Sequence, residues 1–143
     1  MKDKKIIDSI RAFNRYYTGL IGLLDDHLLN SDYSLVEARI LYEIHTNQPV
    51  SASQIMTEIQ IDKGYLSRVL KQFEKTGLIL KEVSSEDARI TLVSLTDKGD
   101  QLFNELNDTS NRQIAGLIKK LTKEQQQQLA GHMQAIREIL SEE

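Results

Sequence analysis

The chain has 143 residues, 40% hydrophobic and 27% charged, with no cysteine and a formal net charge of −3. That length suits one domain, or one domain with long helical extensions, and the composition is that of an ordinary globular protein. Without thiols, disulfides, thiolate metal sites, a cysteine nucleophile and thiol-based redox sensing are excluded. No apolar run approaches the ~20 residues that span a bilayer, and MKDKKIIDSIRAF lacks the features of a signal peptide, so a soluble cytoplasmic protein without membrane association is expected. The negative total argues against indiscriminate polyanion binding, but binding depends on local patches that a whole-chain sum hides.

Ile6, Ile10, Phe13, Tyr17, Leu20, Leu24 and Leu28 recur in alternating steps of four and three, which predicts a long amphipathic helix. Asn30, Ser31 and Asp32 interrupt it. Ser34 and Glu37 form a capping-box pattern that opens a second helix, carried by Leu35, Ala38, Leu41 and Ile44 to the turn Asn47-Gln48-Pro49. A second such box, Ser51 with Gln54, opens a short helix bearing Ile55, Met56 and Ile59. After only Gln60-Ile61, Asp62 caps a fourth helix with Leu66, Val69, Leu70 and Phe73 on one side, ended by Gly77.

Beyond Gly77 the period changes. LILKEV and RITLVSL, rich in β-branched and aliphatic residues and flanking a polar loop, predict a β-hairpin. Thr96 then caps a helix of about 25 residues through Leu102, Phe103, Leu106, Ile114, Leu117, Ile118 and Leu121. Thr122 starts a last helix with Leu129, Met133, Ile136, Ile139 and Leu140 along one side. The fold class expected is mainly α with a small β-hairpin wing: a winged helix-turn-helix over 34–99, flanked by long helices at 1–30 and 100–143.

The fourth helix, residues 62–76, carries the functional expectation. At about 100° per residue its apolar positions share one side, while Gly64, Arg68, Lys71 and Lys75 lie opposite, flanked by Tyr65, Ser67 and Gln72. From Asp62 to Lys81, five bases (Lys63, Arg68, Lys71, Lys75, Lys81) face two acids (Asp62, Glu74), a local balance of +3. A helix laid in a major groove needs cations for phosphates along its flanks and side chains for base edges, here Arg68 with Ser67 or Gln72. Ser51 and Ser53 stand at a helix start suited to phosphate. An ordinary solvated helix face would explain the stripe alone; the short inter-helix turn and the following hairpin favour DNA.

In the loop SSEDAR, at 84–89, Arg89 is suited to a narrow minor groove, and Asp87 two residues earlier to accepting turn amides and orienting the guanidinium. A generic polar turn fits the same residues, with Glu82 and Glu86 in its favour, and the residues alone leave both readings open.

LSRVLKQFEKTGLI followed by EDARITLVSLTDKG resembles the MarR family of transcriptional regulators, whose wing pattern is D-x-R followed by L-T-x-x-G. Those positions are Asp87, Arg89, Leu95, Thr96 and Gly99. The likeness runs through the whole chain and implies a homodimer, intertwined through the first and last two helices, on a pseudo-palindromic double-stranded DNA operator. It also implies a repressor often released by a small-molecule effector. RAFNRYYTGLIGLLDDHLLNSDYSLVEARILYEI and IDKGYLSRVLKQFEKTGLI look like the branch fused to GNAT acetyltransferases; the chain stops at Glu143, so that domain is expected to be absent. The dimer has a separate basis, because a 25-residue helix extends nearly 40 Å at about 1.5 Å per residue, beyond what one small core covers; packing into an intramolecular bundle is the other account of the same faces.

Within the resembled family, small ligands lodge between the dimerisation helices and the winged domain, which makes Arg15, Tyr16, Tyr42 and His45 ligand-binding candidates. Core packing or exposure is the blander account of each. His27, His45 and His132 match no metal-ligand spacing, and no metal or other cofactor is expected. No catalytic constellation is present, Asp25-Asp26 and Glu142-Glu143 being explained by solvation at helix ends, so an enzyme is not expected. The alternative function is a winged-helix protein-interaction module without DNA binding.

Overall fold

The computed structural model describes residues 3–28 and 32–141. The expected break at Asn30-Ser31 and the Glu142-Glu143 pair lie outside them, as do the side chains of Asp25, Asp26, His27 and Leu28. In chain order the elements are α1 (Lys4–Leu28), α2 (Leu35–Asn47), β1 (Val50–Ser51), α3 (Ala52–Ile59), α4 (Lys63–Lys75), β2 (Ile79–Val83), β3 (Thr91–Leu95), α5 (Asp97–Ile118) and α6 (Lys123–Leu140). They form two compact units, Met1–Asp108 and Thr109–Glu143.

Helix starts are where local chemistry is most explicit. Ser34 Oγ accepts from Glu37 N at 3.2 Å while Glu37 Oε1 accepts from Ser34 N at 3.0 Å. Ser51 and Gln54 repeat the exchange at the head of α3, and Thr122 and Gln125 at the head of α6. Each box satisfies amides that the helix itself leaves unpaired. Asp62 caps α4 more simply, accepting from Tyr65 N at 2.9 Å.

In the first unit, Ile40, Leu41 and Ile44 of α2, Ile55 of α3, and Leu66, Val69, Leu70 and Phe73 of α4 meet Leu78, Ile79, Val93, Phe103 and Leu106 in one core. Burial of each such side chain contributes about 1.5–3 kcal/mol, so α4 is held mainly by its apolar side. The large side chains of α1 are different: Ile6, Ile7, Ile10, Phe13 and Tyr16 remain exposed and none belongs to that core.

The expected hairpin is part of a three-stranded antiparallel sheet in the order β1-β3-β2. Val50 pairs with Val93 and Ile79 with Leu95, which places Val50, Val93 and Ile79 in the core. The two-residue strand β1 was not expected, because so short a segment shows no alternation. In the second unit, the end of α5 and all of α6 present Ile114, Leu117, Met133, Ile136, Ile139 and Leu140 to solvent. Helix α5 has 22 residues, three fewer than expected, because Leu121 N bonds Ile118 O in a turn.

The end of α4 and the start of α5 are built against each other. Gly77, at φ +79°, takes the left-handed conformation that ends α4, and Leu78 N returns to Phe73 O at 2.8 Å. Thr96 N donates to Leu78 O at 3.0 Å, and Gly99 presses its Cα against the same carbonyl. A Cβ at Gly99 would be driven into Leu78 O and would also crowd Leu95. Gly99→Ala is therefore expected to destabilise the protein by about 1–3 kcal/mol, the scale of overpacking at a buried site; urea unfolding followed by circular dichroism measures it.

Candidate nucleic-acid interface

Because Leu66, Val69, Leu70 and Phe73 are buried, the helical period turns Gly64, Arg68, Lys71 and Lys75 outward, with Lys63, Ser67 and Gln72 exposed beside them. Lys81, counted among the cations, lies 3.6 Å from Glu74 and so joins β2 to α4 as an ion pair. The charge presented by α4 is thus carried by Lys63, Arg68, Lys71 and Lys75. Ser67 lies on the same flank as Lys63 and Glu74, and Gln72 on the opposite flank with Tyr65.

Ser51 ends β1 and caps α3, its hydroxyl oxygen accepting from Gln54 N at 3.2 Å. Ser53, exposed two residues further on, accepts at its carbonyl from Thr57 Oγ1 at 3.1 Å. Ser51 and Gln54 share a cleft of about 460 Å³ with Ser84, Ser85 and Glu86 of the loop, so the head of α3 and the base of the wing form adjoining walls.

The loop between β2 and β3 is ordered by its own side chains. Ser84 N donates to Ile90 O at 2.8 Å and Ile90 N to Asp87 O at 3.0 Å. Ser84 Oγ accepts from Glu86 N and Asp87 N at 3.2 and 3.4 Å. This role of Ser84 was not singled out from sequence, although a serine followed by acidic residues is a turn signal. Asp87 then takes Arg89 from three directions: Oδ1 accepts from Arg89 N at 3.0 Å and from Nε at 3.1 Å, and Oδ2 accepts from Nη2 at 3.0 Å.

The guanidinium is fixed yet its side chain is 89% exposed, leaving its remaining N–H donors to solvent. The bonds from Arg89 hold the Asp87 carboxyl below the usual carboxylate range, and the hydrogen bond to Asp87 raises Arg89. Glu86 and Ser85 stand exposed beside the pair.

The four ligand-binding candidates fall in two groups. Arg15 and Tyr16 are exposed on α1, Tyr16 at 71%. Tyr42 and His45 come together on α2 around Phe103 of α5, with ring centroids 6.3 and 4.2 Å from it, His45 stacking nearly parallel. Arg39, bonded to the buried carboxylate of Glu43, lies 5.9 Å from the Tyr42 ring centre. His45 Nδ1 is shielded from solvent and lies 3.4 Å from Asp100 Oδ1, but the geometry is not that of a hydrogen bond. Among the described residues, no group of three or more His, Asp or Glu side chains is placed to hold a metal, and no helix is long and apolar enough to cross a membrane.

A three-stranded winged helix-turn-helix with a cationic, outward-facing second helix defines a class of fold built to present that helix. Residues 33–91 match the profile of the MarR family. The chain is 30% identical over 104 residues to the transcriptional regulator MgrA of Staphylococcus aureus, a match covering 71% of this chain and 65% of that protein. It superposes on a mutant MarR from E. coli complexed with operator DNA with a TM-score of 0.80 at 20% identity, covering 97% of this chain and 98% of that one. BldR of Sulfolobus solfataricus gives a TM-score of 0.76 at 19% identity, covering 96% and 99% respectively.

The Asp87–Arg89 geometry sets a pH dependence. A carboxyl whose folded value is depressed favours the folded loop at pH above its unfolded value, and that contribution is lost as pH falls through the folded one. Carbon-detected NMR titration is expected to show Asp87 ionising below an ordinary aspartate, with Arg89→Ala returning it towards the ordinary value. An Asp87 that titrates normally in the unsubstituted protein contradicts this geometry.

Proposed function

We propose that the protein is a sequence-specific transcriptional regulator that binds double-stranded DNA, with α4 in the major groove and the wing at 84–89 in the adjacent minor groove. The observation that carries this reading is the exposed face of Arg68, Lys71 and Lys75 on a helix anchored by its opposite side, next to a wing whose arginine is already oriented. Lys63, Lys71 and Lys75 serve phosphates, Arg68 with Ser67 serves base edges, and Ser51 and Ser53 meet the backbone at the head of α3. Arg89 answers the negative potential of a narrow minor groove, and Asp87 holds it there at lower entropic cost.

In this reading the protein works in the cytoplasm as a homodimer on a pseudo-palindromic operator, within the branch of the family found fused to GNAT acetyltransferases. The exposed apolar side chains of α1 and α6 support dimerisation, since a monomer rarely leaves so many large hydrophobic residues in water. Repression, released by a small ligand near Arg15, Tyr16, Tyr42 and His45, follows the family pattern. The name of MgrA and the operator-bound MarR support a DNA regulator over a protein-interaction module.

Fluorescence anisotropy with DNA selected from a random pool tests the proposal. Affinity is expected to fall steeply with salt, as released counterions require. Arg68→Ala is expected to cost about 1–3 kcal/mol and relax preference at one position, whereas Lys71→Ala weakens all sequences alike and reduces the salt slope by about 1. Arg89→Ala is expected to weaken binding chiefly to sites with a narrow minor groove. Binding indifferent to salt, or to the loss of both Arg68 and Arg89, overturns the proposal.

A further inference from the structure

The motif L-T-x-x-G does more than start a helix. Thr96 Oγ1 accepts from Gly99 N at 3.0 Å, capping α5, and the same hydroxyl donates to Gly77 O at 2.6 Å. Two residues on, Lys98 Nζ donates to Thr76 O at 2.8 Å, placing a cation where the carbonyls of α4 end. With Thr96 N on Leu78 O, the three successive carbonyls of Thr76, Gly77 and Leu78 are all taken by the first turn of α5. Gly99 lets the two backbones close to that distance. The bonds join the end of the recognition helix to the start of the helix that continues beyond residue 108.

We propose that Thr96 and Lys98 are positioning residues that set the spacing between operator half-sites, by fixing the orientation of α4 on α5. This rests on the dimer reading above: where α5 and α6 hold the partner, the separation of the two recognition helices passes through this joint. Neither residue touches DNA in the proposal. Inserting one base pair between half-sites moves them apart by about 3.4 Å and turns them by about 35°, so a rigid joint rejects it and a loosened joint tolerates it.

The residues allow the role to be separated from stability. Thr96→Asp keeps a good cap for α5, since a carboxylate accepts from Gly99 N, but cannot donate to Gly77 O. Thr96→Ser keeps both functions. Lys98 is exposed, so Lys98→Met removes its bond with no cavity left behind.

The experiment measures affinity of the full-length protein for the selected operator, for the same operator with one base pair inserted, and for a single half-site, with the oligomeric state checked by sedimentation. The unsubstituted protein is expected to lose about tenfold or more on insertion, and Thr96→Asp/Lys98→Met about threefold or less, with half-site affinity unchanged within about twofold. Thr96→Ser is expected to behave as the unsubstituted protein. Should the double variant fold poorly, Lys98→Met alone is expected to lower the insertion penalty in the same direction.

Undiminished discrimination in Lys98→Met and in the folded double variant overturns the inference, as does a parallel loss of half-site affinity. A monomeric protein in sedimentation overturns the dimer reading and this inference with it, while salt-sensitive, sequence-selective DNA binding then still stands.

Discussion

One helix has to be deeply held and openly presented at the same time, and most of the molecule follows from that requirement. Helix α4 is short, so the residues that anchor it and those that face outward alternate within thirteen positions. Four large apolar side chains supply the anchor, and the elements around them supply the partners: α2 and α3 beneath, β2 and β3 at the C-terminal end, and Phe103 and Leu106 from α5. Cations on the other side repel one another in the free protein. Such a face stays ordered because the burial of Leu66, Val69, Leu70 and Phe73 outweighs that repulsion by several kcal/mol.

The wing solves the same problem with polar chemistry. It has no apolar core of its own at the tip, where Ala88, Arg89 and Ile90 are exposed. Order comes instead from Ser84, which accepts two loop amides, and from Asp87, which accepts a backbone amide and grips the arginine. A charge fixed in this way costs less entropy to place against another molecule than one on a free chain, although the pair itself adds little stability in water. The two acidic residues of this loop therefore differ in role: Asp87 is internal to the loop structure, whereas Glu86 contributes only its backbone amide.

Legibility in the sequence followed the range of the interactions. Capping boxes are contained within four residues, so the starts of α2, α3 and α6 could be read directly, as could the cap of α4 by Asp62. Apolar periodicity located the buried side of α4 for the same reason. Strand β1 was not legible, because two residues carry no period and it exists only through pairing with Val93 and Leu92, over forty residues away. The Glu74–Lys81 pair and the stacking of His45 on Phe103 are likewise products of folding, and a composition count assigned Lys81 to the free charge that it does not join.

The wing motif shows why a pattern can be legible while its reason is not. Asp87 and Arg89 are two residues apart, a spacing that suits mutual bonding and equally a generic polar turn, and only the folded loop shows the three bonds between them. Thr96 and Gly99 also satisfy a local rule, that of a helix cap, and the local rule accounts for the threonine. It does not account for the glycine. A third helical position tolerates most side chains, and only the arrival of Leu78 O, from twenty-one residues earlier, forbids a Cβ there. The left-handed turn at Gly77 belongs to the same arrangement, since it ends α4 with the oxygens of residues 76–78 all facing donors of the first turn of α5. Two glycines with unrelated local duties are thus parts of one joint, and the end of α4 meets the start of α5 through both.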